Sequence, residues 1–148
     1  HMISSDSVGT NHQFGAGDVH WTLAGSGVQH TQTPVNGSRI HAVQMFINLP
    51  PELRHSPAQT FHLPAKEVPI HESDNCRVRV LVGDAFGLVS PLKLPQDILI
   101  LEGRSDTDLV IAVPEGWKSW VYERDNECAG YITKPVVRGR FLLVASPL

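Results

Sequence analysis

Glycine and proline punctuation constrains this chain more than any other feature. The 12 glycines and 11 prolines cut the sequence into apolar runs too short for a helix. Val19–Leu23 lies between Gly17-Asp18 and Gly25-Ser26-Gly27. Residues 40–49 end at Pro50-Pro51, and residues 78–82 alternate Val with Arg or Leu before Gly83-Asp84. Residues 98–101, 109–113, 120–122 and 141–144 follow. Each run is strand-sized and rich in Val, Ile, Trp or Phe, which pack well on a pleated surface. Short strands at such spacing, with turn signals between them, predict an all-β sandwich or barrel. Helix candidates are limited to short turns near residues 51–55 and 57–60.

At 148 residues, 41% hydrophobic and 18% charged, the chain can bury a real core and is not a disordered tail. A net charge of -3 argues against phosphate-driven nucleic-acid binding, which needs a basic face. No apolar run approaches the roughly 20 residues that span a bilayer, and no signal segment opens the sequence, so the cytoplasm is expected. His1-Met2 reads as an expression remnant outside the fold. Cys76 and Cys128 are expected to be free, half-buried thiols, since neither has a ligand-spaced partner for zinc.

Several blocks resemble the pirin family of two-domain cupins. Residues 17–32, GDVHWTLAGSGVQHTQ, are similar to a family stretch of the form PGDVQWMTAGRGIVHSE. Asp6-Ser7-Val8-Gly9-Thr10-Asn11 resembles its DSxGN turn, and residues 44–50, QMFINLP, its QLWVNLP. Residues 78–83, VRVLVG, resemble VRVIAG, and Gly87-Leu88-Val89-Ser90-Pro91 resembles the linker into the second cupin. Residues 109–123 look like the opening hairpin of that second cupin, and residues 140–145 like one of its late strands. Each block alone is weak; their shared order makes the combination specific.

The resemblance implies an iron site and also its loss. In the family, the His and Glu of the first stretch are two of four iron ligands. Here His30 stands at the His position and Gln32 replaces the Glu. The other two ligands, a His-x-His pair, precede this stretch in the family, upstream of the residues present here. Two residues apart on a strand, His30 and Gln32 share a side, but an amide brings no negative charge to iron. His20, where the family has Gln, is the best further ligand, expected on a strand paired antiparallel to that of His30 through the Gly25-Ser26-Gly27 turn. His12, His41 and His62 are looser candidates. A polar pocket of hydrogen-bonded histidines holding His20, His30 and Gln32 is the expected outcome. Trp21, Gln44 and Phe46 are the candidate ligand-pocket residues, with Phe46 expected in the core.

Other chemistry finds little support. Gly25-Ser26-Gly27 lacks the strand-to-helix context of a hydrolase elbow and reads as a turn. Residues 15–18 precede a strand, not the helix a phosphate loop needs. His55, His62 and His71 lie near prolines, as solvated loop residues would. Trp117, Trp120 and Tyr122 form an aromatic cluster best read as packing between sheets.

The expected fold is all-β: a cupin-like β-sandwich or barrel, incomplete relative to a two-domain pirin. Residues 3–91 are expected to be a first-cupin portion and residues 92–148 an abbreviated second one, packed as one compact unit. The brief connection near residues 130–138 favours a natural short form. Exposed strand edges would be covered by a second copy, giving a homodimer. The expected function is binding or interaction, with a protein or a small aromatic molecule, without cofactor, membrane or direct nucleic-acid contact. The alternative is an iron- or other metal-dependent dioxygenase of the quercetinase type.

Overall fold

The computed structural model describes the backbone of residues 1–123 and 128–147, and the side chains of residues 1–123 and 132–147. Among the described residues the chain is all-β apart from two single-turn 3-10 helices, Pro51–Leu53 and Ala65–Glu67. Among the described residues no helix is long and apolar enough to cross a membrane.

The chain forms two compact units, His1–Lys66 and Glu67–Leu148. The division falls before residue 91 because the 78–82 run is bound into the later sheet by its hydrogen-bond ladder.

The first unit holds five strands: β1 (Met2–Asp6), β2 (Asn11–Phe14), β3 (Val19–Leu23), β4 (His30–Pro34) and β5 (Gln59–Leu63). They make two small sheets, β2-β1-β4 and β3-β5. Met2 opens the central strand β1, opposite Phe14 and Pro34, so the first residues belong to the fold and are not appended to it. Leu23 and Leu63 are the buried apolar side chains of β3 and β5. Alternation on β3 puts His20 and Thr22 on the other face, where they lie opposite His62 and Thr60.

β3 and β4 do not form the predicted hairpin. Gly25, at φ +50, lies so close to the Ser56 carbonyl that a Cβ would collide with it. Ser26 completes the clamp, its amide donating to Ser56 O at 3.0 Å and its Oγ to His55 O at 3.0 Å. The turn is thereby fastened to the segment leading into β5, which becomes the partner of β3, while β4 pairs with β1. The 40–49 run is also not a strand, for no neighbouring strand offers it a ladder. Phe46 is 91% exposed, which corrects its expected place in the core.

The second unit carries β6 (Ile70–Glu72), β7 (Cys76–Val82), β8 (Asp84–Ala85), β9 (Leu88–Val89), β10 (Leu99–Val110), β11 (Lys118–Glu123), β12 (Cys128–Ile132) and β13 (Val136–Ser146). Six of them form one sheet in the order β12-β11-β13-β10-β7-β6. The runs at 98–101 and 109–113 are joined by one strand: β10 runs from Leu99 to Val110 through the polar residues Glu102 to Asp108, with β13 along both ends and β7 beside Ile100 to Ser105. Val78, Val80, Leu101, Val137 and Leu143 are fully buried at the centre of the core. The outward side of β7 is polar: Arg79 pairs with Glu102 directly opposite, at 2.5 Å.

Trp117 packs against this core. Trp120 and Tyr122 stack on the opposite face of β11 from buried Val121, centroids 6.2 Å apart. His71, expected in a loop, lies on β6 and stacks on Phe86 at 4.4 Å. Cys76 is free and half-buried as expected; the side chain of Cys128 lies outside the described residues.

Candidate functional site

The polar layer of the first unit gathers Asp6, His12, Asp18, His20, His30 and His62. Register places His12, Ser4 and Gln32 in one row across β2-β1-β4, with Asp6 beside His30 one step along. Residues directly opposite one another share a face, so His12, Gln32, Asp6 and His30 lie on the same side of this sheet. The polar face of β3-β5, with His20, Thr22, Thr60 and His62, meets it. Thr60 Oγ1 donates to Asp6 Oδ2 at 2.7 Å. Asp6 Oδ1 accepts the amides of Val8 and Thr10 at 3.1 and 2.8 Å. The Thr60 hydroxyl, above all, and these amides hold the Asp6 carboxyl below its ordinary value.

Three imidazoles occupy the centre of the layer. His12 Nε2 and His20 Nδ1 are 3.1 Å apart, one donating to the other. The remaining His20 nitrogen, Nε2, is 3.3 Å from Thr22 Oγ1. His62 stacks on His12, centroids 4.9 Å apart, and Phe14 lies nearly parallel to His20 at 5.0 Å. Burial, and then the neighbouring imidazoles of His12, His30 and His62, push the His20 pKa down to about 4. Burial likewise lowers that of His12, helped by His62. Both rings are therefore neutral at neutral pH.

Asp18 anchors the edge of this cluster. Its carboxylate accepts from His62 Nε2 at 3.1 Å and from the amides of Gly15 and Ala65 at 2.8 and 2.7 Å. Burial alone would raise its pKa, but the three hydrogen bonds outweigh that and lower it.

His30 and Gln32 share a side of β4 and are both exposed. His20 faces the layer from the other sheet, on β3, which pairs with β5 and not with β4. His12 contacts His20 directly, and His62 stacks on His12. His62 is a strand residue, where a solvated loop was expected. His41 and Gln44 are exposed on the strandless run with Phe46, while Trp21 lies half-buried on β3 opposite Phe61. The sequence analysis gives Asp18, Phe14, Asp6 and Thr60 no role in this layer. The Gly17-Asp18 turn ahead of a strand was the one available signal, since Asp in turns caps backbone amides. Among the described residues no three His, Cys, Asp or Glu side chains converge as a metal-binding group.

No family model matches the chain. Individual relatives do. Human "Pirin" is 28% identical over 123 residues, covering 82% of this chain and 42% of its own length. "Pirin-1" of Arabidopsis thaliana is 27% identical over 150 residues, covering 99% of this chain and 52% of its own. The chain thus spans about half the length of these curated relatives. Among solved structures, GK1651 of Geobacillus kaustophilus superposes with a TM-score of 0.79 at 24% identity, covering 97% of this chain and 69% of that one. A "Quercetin 2,3-dioxygenase" from Acinetobacter baumannii also gives 0.79, at 21% identity, covering 97% and 55%. These structural likenesses establish a cupin-like fold.

Proposed function

We propose, from the premise that this chain is a pirin-like cupin, that it works by binding a partner and not by iron-dependent oxidation. The observation that carries the reading is the donor set at the family's iron position. His30 and Gln32 share a side of β4, but Gln32 offers a neutral amide and both side chains are exposed. Among the described residues no three His, Cys, Asp or Glu side chains gather as a metal-binding group. Iron oxygenases hold their metal with several N and O ligands around open positions, a carboxylate commonly among them. The residues present do not fit that group, and no chemical step is derived through it.

The exposed apolar run of residues 40–49 supports a second element of the proposal, assembly into a homodimer. Val43 is 60% and Phe46 91% exposed, and contiguous exposed apolar surface marks interaction sites.

The retained His30 and the likeness to the quercetin dioxygenase fold favour the competing reading, a metal-dependent dioxygenase. Elemental analysis and a quercetin-consumption assay on the untagged protein separate the two. Iron well below one per chain, with no quercetin consumed, is the expected result. Near one iron per chain, lost on His30→Ala, would refute the binding-protein reading.

A further inference from the structure

We propose that His12 and His20 form a two-imidazole chelate for a late first-row divalent metal ion, using neither His30 nor Gln32 as a ligand. The proposal goes beyond the binding-protein reading and does not depend on it.

The geometry comes first. His12 Nε2 and His20 Nδ1 converge at 3.1 Å from strands in two different sheets. An ion about 2.1 Å from both nitrogens would see them at about 95°, the angle of a cis pair in square or octahedral coordination. The ring centroids lie 5.0 Å apart with the planes tilted by 36°, a separation that two imidazoles sharing one ion also have. Neutral imidazole is the ligand form, and both rings are neutral for the reasons given above.

The second observation is the support around each ring. Metal-binding histidines usually donate their other ring N–H to a fixed acceptor, which sets the tautomer. Thr22 Oγ1, 3.3 Å from His20 Nε2, fills that role and leaves the Nδ1 lone pair toward His12. Phe14 backs the His20 ring at 5.0 Å, and His62 backs the His12 ring at 4.9 Å. His62 is itself held by Asp18 at 3.1 Å. Rings fixed in this way lose little conformational freedom on binding an ion.

The proton balance closes without a co-reactant. In the metal-free protein one proton lies between the two nitrogens. When the ion enters, that proton moves through water to the far nitrogen of its own ring, His12 Nδ1 or His20 Nε2. Both rings stay neutral and no net proton is released. Two imidazoles with water in the remaining positions suit Cu²⁺, Ni²⁺ and Zn²⁺, with Cu²⁺ tightest.

The test titrates the full chain with Cu²⁺ by calorimetry and counts coordinated nitrogens by electron paramagnetic resonance. Two nitrogens are expected in the unmodified chain and one in His12→Ala or His20→Gln, with affinity at least about tenfold weaker. Thr22→Val keeps both rings and should weaken binding by about tenfold, as loss of an orienting partner does. His30→Ala should change neither reading. Unmodified affinity and nitrogen count in either the His12 or the His20 variant would overturn the proposal. So would a nitrogen count lowered by His30→Ala. Tryptophan fluorescence checks that each variant is folded, and the Thr22→Val result stands if a histidine variant is not.

Discussion

His12 and His20 meet at 3.1 Å although β2 and β3 belong to different sheets. The contact joins two small sheets, one of three strands and one of two, through polar groups where apolar packing would be the usual solution. Asp6 to Thr60, at 2.7 Å, ties the same layers. Buried polar groups persist only when partnered, and here the partners come from the facing sheet. Polar pairing thus fixes how the layers meet, while Leu23 and Leu63 supply buried apolar side chains.

The depressed His20 pKa makes this unit sensitive to acid. Unfolded, His20 titrates near its ordinary value of 6.5; folded, it titrates near 4. The unfolded chain therefore binds the extra proton first, and stability falls as pH drops from 6.5 toward 4. His12, His30 and His62 add to this repulsion, while Asp6 and Asp18 oppose it in part. The half-exposed ring is partly screened by solvent, so a loss on the order of 1 kcal/mol is expected. Melting temperatures in metal-free buffer should fall across this range, and His20→Gln should flatten the slope. An unchanged slope in that variant would remove His20 as the cause.

Gly103 should tolerate no side chain. It sits mid-strand in β10, where an added Cβ would approach Arg77 O to 2.6 Å and the Val78 Cα to 3.0 Å. Both neighbours are backbone atoms of β7 and cannot swing away. Gly103→Ala is expected to cost about 1–3 kcal/mol, the range for overpacking a tight interior. Urea unfolding followed through Trp117 and Trp120 should show the lower midpoint. A midpoint equal to that of the unmodified chain would mean that β7 and β10 are not so closely apposed.

Much of the second unit was legible in the sequence, and for a physical reason. Its strands alternate sharply, as Arg77, Val78, Arg79 and Val80 do, because one face is dry and the other is wet. β10 was split because Glu102 to Asp108 carries no apolar signal; only its neighbours hold that stretch extended. The first unit was harder to read. Apolar residues at 40–49 imitate a strand that no ladder accepts, whereas Asn11–Phe14 and Gln59–Leu63 carry too little hydrophobicity to announce themselves. His20 and Thr22 were correctly placed on one polar face by alternation alone. Their contact with His12 depends on β1 lying between β2 and β4, a long-range pairing that local pattern does not encode.

The exposed run at 40–49 gives the proposed homodimer a specific anchor. Phe46 is 91% exposed and Val43 60%, so neither contributes much to the stability of the isolated chain. Surface substitutions of this kind usually change stability by no more than about 0.5 kcal/mol. If the run covers a second copy, Phe46 becomes a buried aromatic there, the residue type whose truncation costs most at interfaces, about 2 kcal/mol or more. Phe46→Ser is then expected to weaken dimerisation by at least about thirtyfold, by the relation of tenfold per 1.4 kcal/mol. The monomer fold should be preserved. Multi-angle light scattering over a dilution series measures both states. A clean monomer at micromolar concentration would end the dimer proposal, whereas a dimer indifferent to Phe46→Ser would move the interface elsewhere on the chain.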